Sequence, residues 1–218
     1  MKKIILILIV SVTSMINSNI YAQTRLYVHS SAEDYVKQTE ILAILPLKVN
    51  VKLRPKQLAE FTPEQINDMN KQEGLETQKA IYSWMLTRKK RGELRVEVQN
   101  PTVTNSLLKK AGININDPLS EHTPKDLGEI LEVQAIMTGS LETSKPMSDA
   151  AGLGIALLTG GFVAPTQQAV ANLDFINTSD NEVVVNYFKS VKGTIGSSQE
   201  DLINILMRKV TRRIPYTN

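Results

Sequence analysis

The side chains of this chain that could do chemistry are few, and their spacing argues against most reactions. There are two histidines, His29 and His122, and no cysteine. Without cysteine there is no thiol nucleophile, no thiolate metal site, no disulfide and no lipid anchored at a cysteine. A metal site needs several ligands at compatible spacing, and no His, Asp and Glu cluster offers them, so neither a metal nor a cofactor is expected. Ser140 stands in Met137-Thr138-Gly139-Ser140-Leu141, which lacks the second glycine of a nucleophile elbow, and it reads as a strand residue. The 22 acidic residues are scattered and define no acid/base pair. The cationic run Arg88-Lys89-Lys90-Arg91 falls where a helix should end, and cations there complement the helix C-terminus. Trp84, with Ile81, Tyr82 and Leu86 near it, reads as packing. A non-enzyme is expected.

One stretch remains unexplained by packing alone. Residues 150–165, AAGLGIALLTGGFVAP, hold sixteen positions without a charge. Gly152 and Gly154 are not followed by the third glycine of a dinucleotide fingerprint, and no Gly-Lys-Ser/Thr occurs, so phosphate binding is not expected. The stretch is short for a helical membrane span, and its four glycines and Pro165 weaken a helix in lipid. Three readings stay open: a packing or partner contact, one membrane hairpin turning at Gly160-Gly161, or a loop. The contact reading leads. Its surface is Gly152, Leu153, Gly154, Ile155, Leu157, Leu158, Gly160, Gly161, Phe162 and Val163.

The ends and the composition set the compartment. Lys2 and Lys3 precede an apolar run from Ile4 to Val12, and a polar region leads to Ile20-Tyr21-Ala22. That is the layout of a secretory signal peptide over 1–22, cut after Ala22. Removing Lys2 and Lys3 with it leaves 23 basic residues (25 − 2) against 22 acidic ones, a balance that asks for no nucleic acid. With 42% apolar residues, one sizeable core is expected. The protein should reside in the periplasm or at the outer-membrane periphery.

The elements that must position these residues follow from pattern. Residues 23–40 are weakly patterned and read as a lead-in segment packing through Tyr27 and Tyr35. ILAILPL (41–47) is a continuous apolar run, as in a buried central strand, with Pro46 near its end. Helices should start at Thr62-Pro63, running to Lys90 with Gly74 as a weak point and Gly92 as a stop; at Asn100-Pro101; at Thr123-Pro124; and at Ser197-Ser198. On the last, Leu202, Ile205, Leu206 and Val210 recur at helical spacing. Strands are expected at 94–99, 135–143, 169–177 and 182–188, the last two joined by Thr178-Ser179-Asp180-Asn181 as a hairpin. The fold class is α/β: a single domain over 41–218, with a mixed central sheet, about four helices and a Gly-rich apolar insertion at 146–166.

Three of these segments carry a family resemblance. ILAILPL (41–47) resembles the first strand of proteins related to the curli secretion channel CsgG, a group that includes LpoB and the N-terminal domain of TolB. KDLGEILEVQAIMTGSLETS (125–144) looks like that group's helix leading into a strand with Thr-Gly-Ser, and NLDFINTSDNEVVVNY (172–187) resembles its paired strands. The resemblance implies a CsgG/LpoB-like α/β fold and a bacterial cell-envelope protein that acts by protein-protein binding or assembly. An envelope protein or a second copy would be the partner, with peripheral outer-membrane contact as a further expectation. Two alternatives stand beside it: an oligomeric outer-membrane secretion-channel component, and an envelope hydrolase using scattered carboxylates.

Overall fold

The run beginning at Ile41 does not stop at its proline. In the computed structural model, which describes residues 24–144, 168–192 and 199–218, strands β2 (Ile41–Ile44) and β3 (Lys48–Val51) both lie parallel to β5 (Ala135–Thr143). Ile44 faces Met137 and Lys48 faces Ser140, so four steps on one side match three on the other. The surplus residue makes a bulge at Leu45–Leu47. Pro46 occupies it, where a missing N–H removes no ladder bond, while Leu45 N donates to Met137 O at 2.9 Å. The expected end of a strand is an interruption within a longer one.

Among the described residues the sheet has seven strands, in the order Thr24–Val28 (β1), Val183–Lys192 (β7), Gln168–Asn177 (β6), β5, β2 and Glu97–Val98 (β4), with β3 also on β5. β6 (Gln168–Asn177) and β7 (Val183–Lys192) form the expected hairpin, and β7 runs four residues beyond Phe188. The segment read as a lead-in belongs to the fold. Its Thr24–Val28 is edge strand β1, antiparallel to β7, and Ala32–Gln38 is helix α1, burying Ala32 and Val36. β1 shows no inward–outward alternation because four of its five residues are exposed, which is why its pattern is silent. The strand expected over 94–99 contracts to β4 (Glu97–Val98). Leu94 bridges to Thr217 and Arg95 N donates to Tyr216 O, so the segment passes from the C-terminal tail to β2 midway.

Helices cover the two faces unequally. Short α2 (Pro55–Leu58) precedes α3 (Pro63–Lys90), whose capping box is complete: Gln65 N donates to Thr62 Oγ1 at 3.3 Å and Thr62 N to Gln65 Oε1 at 2.8 Å. α3 and α6 (Gln199–Val210) close one face over Leu42, Ile44, Met137, Leu173, Phe175 and Tyr187. Gly74 is where α3 touches the sheet. A Cβ there would lie 2.4 Å from Leu47 O, so glycine is what lets the helix come this close. α4 (Pro101–Lys110) and α5 (Pro124–Leu131) place Leu108, Leu127 and Leu131 on the other face, over Ala43, Leu45, Ile136 and Ile176. Fully burying each such side chain contributes about 1.5–3 kcal/mol. Ile130 of the same helix is half-buried.

Candidate functional site

The second face changes character halfway along. Alternation along the strands puts Thr138 and Ser140 of β5, Asn172 and Asp174 of β6 and Asn186 of β7 on the same face as Ile136 and Ile176. α4 and α5 bury the two isoleucines, whereas the five polar residues are half-buried or exposed. Thr138 stands opposite Asp174, Ser140 opposite Asn172, and Asn186 opposite Asp174. Asn186 Nδ2 donates to Asn172 Oδ1 at 2.9 Å and to Asp174 Oδ1 at 2.6 Å, which fixes both side chains. The β2–β3 bulge supplies one wall. Beyond it, Lys48 Nζ lies 2.8 Å from Asp117 Oδ1, an ion pair that joins β3 to the loop before Pro118. Together they enclose a cavity of about 250 Å³.

Gly139 makes this packing feasible. Its φ is +149°, and a Cβ would meet Asn172 O at 2.1 Å, so only glycine lets β5 and β6 approach here.

The open edge is the other candidate. Leu26, Tyr27 and Val28 of β1 are 39%, 51% and 41% exposed, and β1 ends the sheet order. Its one charged residue, Arg25, lies over the Phe188 ring at 4.4 Å. Beneath the strand, Lys189 is buried and donates to Thr24 Oγ1; burial lowers its pKa, helped by Lys209 and Arg213. Burial likewise raises the hydroxyl pKa of Tyr187 and of Tyr216, which stacks on Phe175 with ring centres 5.3 Å apart.

The residues singled out from the sequence scatter. The surface Gly152–Val163 lies outside the described residues. His29 Nδ1 accepts from Ser31 N at 3.0 Å and its ring meets Tyr35 edge-on, a local turn. His122 is half-buried before the cap of α5, whose Asp126 carboxyl is held below its usual range by hydrogen bonds from Thr123. Arg88 pairs with Glu93 and Lys89 with Glu97, so half the cationic run is neutralised. Trp84 packs as expected and donates to Thr211 Oγ1 at 3.3 Å. Ser140 alone joins the polar cluster. Its companions were visible only as polar letters inside apolar strands, NLDF and VVVNYF, where a second buried face would have carried apolar ones. Among the described residues, no three His, Asp or Glu gather to hold a metal ion, and no helix is long and apolar enough to cross a membrane.

No family model matches this chain, and no curated protein matches it in sequence. Solved structures do share its outline. Lipoprotein GNA1162 from Neisseria meningitidis is 11% identical with a TM-score of 0.46, the match covering 80% of this chain and 97% of that one. The PelC dodecamer from Paraburkholderia phytofirmans is 11% identical at 0.45, covering 87% and 94%. The LpoB C-terminal domain from Salmonella enterica is 8% identical at 0.30, covering 76% and 96%. Likeness of that depth leaves function to be argued from this chain's own residues.

Proposed function

We propose that this chain is a non-enzymatic protein of the bacterial cell envelope that works by binding an extended segment of another protein chain along β1. One observation carries the reading: three consecutive apolar residues, Leu26, Tyr27 and Val28, stand exposed on the end strand of the sheet. An end strand presents unpaired N–H and C=O groups, and proteins usually protect it with charge, proline or a bulge. β1 has no proline, and its single cation rests on Phe188. Recognition by strand addition uses such an edge, with main-chain bonds giving affinity and alternate side chains giving specificity. An added strand would cover Tyr27 on one face and Leu26 and Val28 on the other.

The envelope compartment is supported by the leader-like layout of residues 1–22, and the absence of cysteine argues against a lipid anchor. Residues Gly152–Val163 form the second contact in this reading, supported by their lack of charge. The test is native mass by light scattering, for the protein alone and after mixing with envelope extract, for wild type and for Leu26→Lys combined with Val28→Lys. The variant should melt as the wild type does and lose the larger species. A doubled mass without extract identifies a second copy as the partner. A variant that keeps its full native mass removes β1 from the reading.

A further inference from the structure

We infer that the polar cleft at the β2–β3 bulge is a binding site for an uncharged saccharide unit. The donor and acceptor pattern selects that chemistry. Asn186 occupies one carboxylate oxygen of Asp174 and the amide oxygen of Asn172. That leaves the second Asp174 oxygen, an acceptor, and the Asn172 amide nitrogen, a donor, on two residues that line the cleft. Across the β5–β6 ladder stand Thr138 and Ser140, whose hydroxyls make no side-chain hydrogen bond among the described residues and can act in either sense. Cross-strand neighbours lie about 4.5–5.5 Å apart, so the four form a compact array. Adjacent sugar hydroxyls, each both donor and acceptor, match an acceptor next to a donor next to two hydroxyls.

The remaining surroundings narrow the class. Pro46, Pro118 and Leu119 give the cleft an apolar wall against which the C–H face of a sugar ring can lie. Anions are disfavoured, because the Lys48 ammonium is paired with Asp117 and leaves the Asp174 carboxylate as the uncompensated charge. At about 250 Å³ the cavity falls below the roughly 300–1,000 Å³ of drug-sized sites, and it suits a single ring. Packing among the described residues gives no reason for this set either. The other half of the same face is apolar and helix-covered, and five polar residues in mid-sheet forgo that stabilisation.

The experiment is an amide-resolved NMR titration of the purified protein with N-acetylglucosamine, and separately with inorganic phosphate. Expected is weak, saturable, millimolar binding of the sugar, with the largest shifts at residues 138–140 and 172–174. Phosphate should give none. Asp174→Ala should weaken the sugar at least tenfold. Ser140→Val, at an exposed strand position, keeps the test open should the first variant fold poorly, and should weaken binding several-fold. Leu26→Lys should leave the titration unchanged, which separates this site from the β1 reading. Absence of saturable shifts up to the solubility of the sugar, shifts centred elsewhere, equal shifts with phosphate, or full binding by Ser140→Val would each overturn the assignment.

Discussion

Two glycines with positive φ separate conformational from steric demand. Gly92, at φ +70°, has nothing within 4 Å of its missing Cβ, whereas Gly139, at φ +149°, has the Asn172 carbonyl at 2.1 Å. Gly92→Ala should therefore cost about 1–2 kcal/mol, the ordinary penalty of a left-handed residue. Gly139→Ala should cost far more, because the β5–β6 ladder must also part; thermal melting of the pair decides it, and equal losses would refute the distinction. The α5 cap gives a second residue-scale case. Thr123→Ala should lower stability by about 1 kcal/mol in urea unfolding. Hydrogen bonds from Thr123 hold the Asp126 carboxyl below its usual value. A carboxylate whose folded pKa is depressed stabilises above its unfolded pKa, about 3.9, and that contribution fades as pH falls through the folded value. Asp126→Asn should thus be less stable than wild type at pH 7 and indistinguishable from it once the pH is well below 3.9. These caps were legible in the sequence because a cap is local: Thr62 with Gln65 and Thr123 with Asp126 lie three residues apart. The Asn172, Asp174 and Asn186 cluster was not, because only the hairpin register brings it together.

At the scale of elements, apolar density decided what could be read. The run at 41–47 was legible because six consecutive residues from Leu42 to Leu47 are buried. β3 was missed because a bulge, not a turn, separates it from β2, and its alternating KVNV follows without punctuation. β1 was missed for the opposite reason, since its apolar residues face outward. In 94–99 the alternation is real, with Val96 buried and Leu94 and Val98 half-buried, but the backbone partner changes midway. The bulge also makes a contrast of substitutions. Leu42→Asp or Ile44→Asp should prevent folding, because an unpaired buried carboxylate costs several kcal/mol against a stability of about 5–15 kcal/mol. Pro46→Ala should fold and shift stability by no more than about 1 kcal/mol, because proline there sits in the bulge and mainly restricts the unfolded chain. Circular dichroism and thermal melting of the three proteins check this, and a folded Leu42→Asp would show that β2 is not internal.

For the whole molecule, the question is whether residues 152–163 are needed for the fold or only for what the fold does. The pairing of the strands on either side bears on it. β5 and β6 pair without interruption from Ala135 opposite Asn177 to Thr143 opposite Ala169. A linker joining these two strands has to return the chain from one to the other, and the cost of closing a loop changes slowly with length, about 0.6 kcal/mol for each doubling. Replacing Gly152–Val163 with a short Gly/Ser linker should leave the melting temperature nearly unchanged. Its lack of charge is what the reading proposed above takes as the mark of a second contact. The shortened protein should accordingly lose association with its partner or with the membrane fraction, and Leu153→Asp and Leu157→Asp should weaken the same association more gently. Light scattering and fractionation of the native envelope measure both. Failure of the shortened protein to fold would make the stretch core, and the contact reading would fall. A folded, shortened protein that still associates fully would reduce it to a loop and leave β1 as the contact strand.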